Sequence, residues 1–166
     1  MSEIIKRAND DRIDKLEVKL AADYPLVDCP LVHRFTPGMY IREIFMPTGV
    51  MATSRCHNTC HPFTISKGST AISIDGVGWD IFEAPFTGIT QKGTRRILYI
   101  LDDCIFTTYH PIAYITGEEE YFTDEEKEKL AEKIMDEILE NYENKLFGGK
   151  LINNVIHYKE KELDNV

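Results

Sequence analysis

The segment from Gly49 to Gly68 reads GVMATSRCHNTCHPFTISKG, and it contains two histidines, His57 and His61, four residues apart. Along one straight strand these histidines would lie roughly 13 Å apart, which is too far to share an ion. The Asn58-Thr59 pair between them is typical of a turn. We therefore expect one strand to end at His57 and the next to begin at His61, so that both imidazoles meet at one barrel mouth.

The chain around this segment, about residues 30–116, predicts β structure throughout. Short runs rich in Ile, Val, Phe, Thr and Tyr are separated by turn-forming residues about every eight to twelve positions. Asp75-Gly76 predicts a hairpin turn between two such runs, and Asp102-Asp103 predicts a second hairpin turn in the same manner. Many short strands at this spacing indicate a sandwich or a small barrel.

A charged segment of about residues 3–22 predicts a helix before the β region. Ile13, Leu16 and Leu20 are spaced by three and four residues, which places them on one helical face. Pro25 ends this helix, because proline disfavours helical geometry in the residue before it.

A second helix is predicted after the β region, from about Thr123 to Phe147. Residues 123–126, Thr-Asp-Glu-Glu, form a capping box that satisfies free backbone amides at the helix start. Gly148-Gly149 would end the helix, and residues 151–156 could dock as a short strand. The helix carries one apolar stripe at helical spacing, formed by Leu130, Ile134, Ile138, Tyr142 and Leu146.

Composition and charge exclude several classes of protein. The 166 residues are 43% apolar, which suffices for the core of one compact domain. The net charge is −9, most of the excess lies in the second predicted helix, and no basic stripe occurs, so nucleic-acid binding is not expected.

The chain also lacks the marks of a membrane or exported protein. No run approaches the roughly 18–20 apolar residues of a membrane span, and the first residues lack the layout of a secretory signal. Four cysteines are too few for a disulfide scaffold. We therefore expect a cytoplasmic protein that contacts no membrane, and the amphipathic helices lead us to expect a homo-oligomer.

The Gly49–Gly68 segment resembles the first conserved motif of the cupin family. That motif reads Gly, five residues, His, one residue, His, three or four residues, Glu, six residues, Gly. Its positions fall on Gly49, Arg55, His57, His61 and Gly68 without a gap. The family's second metal histidine matches His57, whereas its first histidine position holds Arg55 and its glutamate position holds His61.

The second cupin motif, Pro-x-Gly-x-x-His, matches residues 91–96 loosely, with Arg96 in place of the last metal histidine. The chain is also similar to uncharacterised cupin-like proteins of phage and prophage genomes. The resemblance implies an RmlC-like cupin: a mainly β, double-stranded β-helix, or small β-barrel, with an α-helix at each end. The domains would be an N-terminal helical segment (1–28), the β-barrel (29–116), and a C-terminal amphipathic helix and tail (117–166).

The resemblance further implies a divalent metal ion in the barrel, such as zinc, iron, manganese or nickel. Arginine cannot ligate a metal, so His57 and His61 need a further ligand. We expect His110, since three neutral imidazoles form a plausible ligand set. A two-residue turn at Asp102-Asp103 would instead point His110 away from Arg96, unless a bulge restores the alignment.

Cys56 and Cys60 offer an alternative ligand set. On regular strands they alternate out of phase with the histidines, and we expect them to be small buried apolar residues. An irregular loop would allow a zinc site formed by Cys56, His57, Cys60 and His61 instead.

The expected substrate is a small anionic molecule. Arg55, Arg96 and Arg95 are its expected binding residues, because a guanidinium binds carboxylate or phosphate in bidentate fashion. Arg55 and Arg96 could instead pair with Glu43 or Glu83. On position alone, Tyr109 is the expected acid–base residue.

Two functions are compatible with these features. One is a metal-dependent enzyme whose reaction could be hydrolysis, isomerisation, lyase chemistry or oxygenation. The other is a non-catalytic cupin module that binds a small anion or serves as a phage-type structural or assembly protein.

Overall fold

The structure is a computed structural model, and it describes residues 3–139 and 155–159. A helix precedes the first seven strands, and a second helix and the last strand follow them. The elements are α1 (Glu3–Asp23), β1 (Leu31–Thr36), β2 (Met39–Met46), β3 (Val50–Ser54), β4 (His61–Ser73), β5 (Asp80–Glu83), β6 (Phe86–Thr90), β7 (Ile97–Pro111), a short 3₁₀ helix (Glu118–Tyr121), α2 (Asp124–Ile138) and β8 (Val155–Lys159).

Two long antiparallel strands, β4 and β7, form the centre of the sheet. The other edge of β7 pairs with β3 along its first half and with β2 along its second half. The other edge of β4 pairs with β6 along its first half and with β5 along its second half. The sheet therefore has two halves that share β4 and β7. The strand order is β1-β2-β7-β4-β6 in one half and β8-β3-β7-β4-β5 in the other.

Side chains from both halves pack into one hydrophobic core, so the two halves face each other. The first half contributes residues such as Ile44, Phe63 and Phe106, and the second contributes Ala52, Ile72 and Leu98. An antiparallel sheet that folds over on itself in this way is the double-stranded β-helix that the sequence predicted. The predicted fold class, mainly β with a helix on each side, is confirmed.

The bend between the two halves requires close contact of two backbones. The register of β4 against β7 shifts between Ile65 and Thr70. Within this stretch, Gly68 has φ +77°, and a Cβ atom there would lie 2.2 Å from the backbone oxygen of Asp103. A glycine is needed here, because any side chain would separate the strands at the bend.

The predicted hairpin turn at Asp102-Asp103 is wrong, because β7 runs unbroken from Ile97 to Pro111. Both carboxylates are used at the bend. Asp102 Oδ2 accepts a hydrogen bond of 2.5 Å from the Ser69 hydroxyl. Asp103 Oδ1 accepts hydrogen bonds from the backbone nitrogen and the hydroxyl of Thr48, at 3.0 and 2.9 Å. The side chains of these two residues therefore bind neighbouring segments, and their backbone continues the strand instead of forming a turn.

The other predicted hairpin is present, but its loop is longer than two residues. β4 ends at Ser73 and β5 begins at Asp80. Asp75 Oδ1 accepts hydrogen bonds from the backbone nitrogens of Val77 and Gly78, both at 2.8 Å. Because this carboxylate closes its own turn, the residues up to Trp79 stay outside the strand.

The N-terminal helix follows the prediction closely. α1 ends at Asp23, two residues before Pro25, and it buries Ile13 and Leu20 completely or nearly so. No helix in the described part of the chain has both the length and the apolar character that crossing a bilayer requires.

The second helix begins with the predicted capping box, in which Thr123 and Glu126 each accept a hydrogen bond from the other's backbone nitrogen. Ile134 and Ile138 are buried in a second apolar cluster, which includes Tyr40 of β2. The helix ends at Ile138, and the rest of the expected stripe and the glycine pair lie outside the described residues. β8 pairs with β3 near the predicted C-terminal strand.

We expect Gly68→Ala to destabilise the protein more than Gly38→Ala. The two glycines have nearly equal φ angles, +77° and +74°, so alanine at either position costs roughly 1–2 kcal/mol of backbone strain. A Cβ atom at Gly38 meets nothing within 4 Å, whereas one at Gly68 meets Asp103. Urea unfolding should show at least about 1 kcal/mol of extra loss for Gly68→Ala. Equal losses would contradict the close backbone contact at the bend.

Candidate metal centre

Three histidines converge inside one end of the barrel. His61 begins β4, His110 lies near the end of β7, and His57 lies in the loop between β3 and β4. The ring centroids of His57 and His61 are 4.5 Å apart, those of His61 and His110 are 4.7 Å apart, and those of His57 and His110 are 5.5 Å apart. One ligand atom from each ring lies within 4.8 Å of the others. The structure therefore brings together the three histidines that the sequence singled out.

The pairing of β4 with β7 places two of the three histidines. Phe63 pairs with Thr108 and Thr64 with Thr107, so extending this register sets His61 opposite His110. Residues directly opposite on antiparallel strands share one face of the sheet. Both rings consequently point into the barrel, where both residues are buried.

The loop that carries His57 is held by the end of α2. The last carbonyls of a helix have no partner within the helix. Here the Glu137 carbonyl accepts from Asn58 Nδ2 at 3.1 Å, and the Ile138 carbonyl accepts from the Asn58 backbone nitrogen at 2.8 Å. The His57 carbonyl accepts from the Gly93 backbone nitrogen at 2.8 Å. The asparagine predicted to form a turn thus also caps a helix.

Arg96 and His110 lie on the same side of the chain, contrary to the prediction. In β7 the even-numbered residues are buried, apart from Asp102 at the bend. Arg96 lies just before the strand, is also even-numbered and is also buried. The predicted opposition of Arg96 and His110 depended on a turn at Asp102-Asp103, which does not form.

The hydrogen-bond contacts are compatible with protons on His110 Nε2 and His61 Nδ1. Thr108 Oγ1 lies 3.4 Å from the Arg42 carbonyl, which can only accept, and a hydroxyl hydrogen directed at that carbonyl leaves the oxygen to accept from His110 Nε2 at 2.9 Å. His61 Nδ1 lies 3.4 Å from the Thr59 carbonyl, which can only accept. We therefore assign the lone pairs to His110 Nδ1 and His61 Nε2. These two atoms, and His57 Nδ1, are buried without a hydrogen-bond partner.

The electrostatic surroundings keep all three histidines neutral at pH 7. Burial, followed by nearby positive charge, lowers the pKa of His57 to about 3 and the pKa of His61 to about 4. The same effects lower the pKa of His110 to about 2. Neutral imidazole is the form that ligates a metal ion, so the three side chains fit a divalent ion with nitrogen ligands.

A cavity of about 50 Å³ adjoins the three histidines. Among the described residues that line it, the charged ones are all arginines: Arg42, Arg55 and Arg96. No carboxylate from the described part of the chain lines it, and the remaining polar side chains are Ser54 and Thr108. The cavity is thus small, and its charged lining residues are all basic.

Arg96 is a buried cation with no counterion among the described residues. Its guanidinium lies over the rings of Phe63 and Phe106, at 4.9 and 5.6 Å from their centroids. Only 7% of the residue is exposed, and Nε has no hydrogen-bond partner. Burial lowers the pKa of Arg96 to about 10, so the side chain is still charged at pH 7. Neither Glu43 nor Glu83, the two possible partners given by the sequence, pairs with Arg96. Glu43 lies 3.5 Å from Arg34 instead.

The neighbouring Arg95 does not line the cavity, so its placement does not support the expected role in anion binding. Its guanidinium lies 2.6 Å from Asp14 and 2.9 Å from Glu17, both in α1. Arg95 is out of phase with Arg96, so it faces the helix and not the interior. It fastens α1 to the barrel.

Tyr109 also lies outside the cavity. It stands between Thr108 and His110, which both face inward, so strand alternation turns Tyr109 to the opposite face. The acid–base role expected for Tyr109 from its position is therefore not supported by its placement.

The two cysteines do not join the histidines. Cys56 is buried, as predicted, and its Sγ lies 3.5 Å from the Gly93 carbonyl. Cys60 is exposed, contrary to the prediction, and its Sγ accepts from the Lys92 backbone nitrogen at 3.3 Å. Neither belongs to the group of side chains that could share an ion.

Sequence reasoning missed Arg42, which lines the cavity from β2. The signal lies in the alternation of that strand, where Tyr40, Arg42, Ile44 and Met46 are buried in turn. An arginine in the apolar phase of an alternating strand indicates a charged group inside the barrel.

Comparison with models of known protein families gives no match for this sequence, and comparison with curated proteins gives none either. Among solved structures, the chain is similar to a cupin-2 domain containing protein from Shewanella frigidimarina, with 11% identity and a TM-score of 0.42 over 61% of this chain and 97% of that one. It is also similar to ectoine synthase from P. lautus, with 12% identity and a TM-score of 0.45 over 57% and 72% of the two chains.

A third similar structure is an RmlC-like cupin family protein with a double-stranded β-helix fold from Methanocaldococcus jannaschii. Its identity to this chain is 11%, with a TM-score of 0.43 over 54% of this chain and 89% of that one. At this level of similarity neither an activity nor a ligand transfers to this chain.

Adjacent arginines offer a matched test of the site's electrostatics. Arg95→Met leaves two carboxylates without their partner, so it should cost about 3 kcal/mol of unfolding free energy. Arg96→Met removes an unpaired buried charge and keeps the volume, while losing only a cation–π contact worth about 1–2 kcal/mol. Chemical unfolding in metal-free buffer should therefore show stability for Arg96→Met that is close to or above that of the wild type. A loss equal to that of Arg95→Met would contradict the assignment of Arg96 as unpaired.

Proposed function

We propose that the protein binds one divalent metal ion, such as zinc, iron, manganese or nickel, through His57, His61 and His110. The observation that carries this proposal is the set of three buried ring nitrogens without hydrogen-bond partners in one small space. An unsatisfied buried polar atom costs about 1–3 kcal/mol, and one shared ion would satisfy all three. Three neutral imidazoles also leave at least one coordination position for another ligand.

The proposal includes a small anionic molecule as the second ligand of the cavity. Arg96 would bind and orient this anion. Arg42 and Arg55 line the same cavity and would add to the positive charge around it. A bound ion would supply Lewis-acid polarisation or an activated water. Thr108 would hold the ring of His110 in place through its hydroxyl, and the small volume of the cavity would exclude bulk water.

The lining of the cavity favours binding over catalysis by side chains. Within the described residues it contains no Asp, Glu, Lys, Tyr or Cys that could transfer a proton. Ser54 already accepts a hydrogen bond from the Arg96 backbone nitrogen at 2.8 Å. This lining supports a second candidate function, a non-catalytic module that binds a small anion. If the protein is an enzyme, its catalysis would depend on the metal ion and the water bound to it.

Other expectations from the sequence stay predictions. A homo-oligomer is supported by exposed apolar side chains, including Val77, Ile81 and Ile89. The cytoplasmic location and the kinship with phage-type proteins rest on the sequence alone.

Removing any one of the three histidines should abolish tight metal binding. His57→Ala, His61→Ala and His110→Ala each delete a ligand, and changes to groups that merely support a ligand already cost 10–100-fold in affinity. We expect zinc affinity to fall by roughly 100-fold or more in each variant, measured by calorimetry, with an unchanged far-ultraviolet spectrum.

His33→Ala is the matched control, because His33 Nδ1 is hydrogen-bonded to the Tyr40 hydroxyl at 2.9 Å and lies outside the group. It should bind one equivalent of zinc like the wild type. Full zinc binding by all three ligand variants, or its loss in His33→Ala or Cys60→Ser, would show that the site lies elsewhere.

A further inference from the structure

The charge of Arg96 needs a partner that the described part of the chain does not provide. Transferring an unpaired charge out of water is costly, and buried charges in proteins are normally paired. The cation–π contacts with Phe63 and Phe106 offset only part of this cost. Among the described residues, no carboxylate lines the cavity beside this buried guanidinium, so the site has a place for an anion from solution.

A metal ion would make this need greater. With neutral histidines, a divalent ion adds two positive charges to a cavity lined by Arg42, Arg55 and Arg96. The repulsion of the ion by the arginines would be relieved by an anion between them.

The surroundings of Arg96 indicate how this anion would bind. The two phenylalanine rings lie against the guanidinium, so the N–H groups at its edge are the ones left for a ligand. A planar carboxylate matches that edge with two parallel hydrogen bonds.

The volume of the cavity selects the size. A cavity of about 50 Å³ has room for about three to five water molecules, at roughly 10–15 Å³ for each. Formate and acetate have three and four heavy atoms and fit this volume, whereas an aromatic carboxylate such as benzoate does not.

We propose that a small monocarboxylate bound to the Arg96 guanidinium is a second ligand coupled to the metal ion, so that each raises the affinity of the other. This inference rests on the proposed metal site at His57, His61 and His110. Because coupling between two ligands is reciprocal, it can be measured from either one.

The experiment titrates zinc perchlorate into the metal-free protein by calorimetry at pH 7, with and without sodium acetate at constant ionic strength. Acetate should raise the zinc affinity about tenfold or more, within the usual range for coupled sites. Benzoate at the same concentration should leave the zinc affinity unchanged, since it exceeds the cavity.

Two variants test the role of Arg96. Arg96→Met should abolish the effect of acetate, while its zinc affinity without acetate equals or exceeds that of the wild type. Arg34→Met is the matched control, because Arg34 is half-exposed and lies next to Glu43 on the outside of β1. It should keep the full effect of acetate.

The outcomes separate this inference from the proposed function. Wild-type protein that binds zinc equally well with and without acetate would overturn the coupling and leave the metal site standing. Persistence of the acetate effect in Arg96→Met would overturn the role of Arg96. No zinc binding in either buffer would overturn the metal site itself, and the coupling with it.

Discussion

The antiparallel pairing of β4 with β7 is the constraint on which the rest of the structure depends. It sets the register that carries His61 opposite His110, and it places the bend at Gly68, where the two halves of the sheet fold over each other. A register slip of one residue would turn every inward side chain of β7 outward. The same pairing therefore determines both the core and the position of these two histidines.

The cavity at this end of the barrel combines two kinds of unsatisfied group. Three imidazoles present lone pairs without donors, and Arg96 presents N–H groups without acceptors. A cation alone would satisfy the first kind and an anion alone the second. A metal ion and a small carboxylate bound together would satisfy both kinds of group, and would account for arginines and histidines buried side by side.

Local signals in the sequence predicted what local forces determine. The capping box of α2 and the end of α1 before Pro25 both depend on neighbours in the chain. The Asp102-Asp103 pair failed as a signal because Ser69 and Thr48, distant in sequence, bind its carboxylates. That one error also inverted the predicted relation of Arg96 to His110, since it changed the phase of half a strand.

Diffraction at the zinc absorption edge, from crystals grown with zinc and acetate, would locate both the ion and the anion. We expect a single strong anomalous peak inside the barrel, about 2.0–2.1 Å from one nitrogen of each of His57, His61 and His110. We also expect density for a planar anion between this peak and the Arg96 guanidinium. An empty barrel, or a peak held by Cys56 or Cys60, would contradict this expectation.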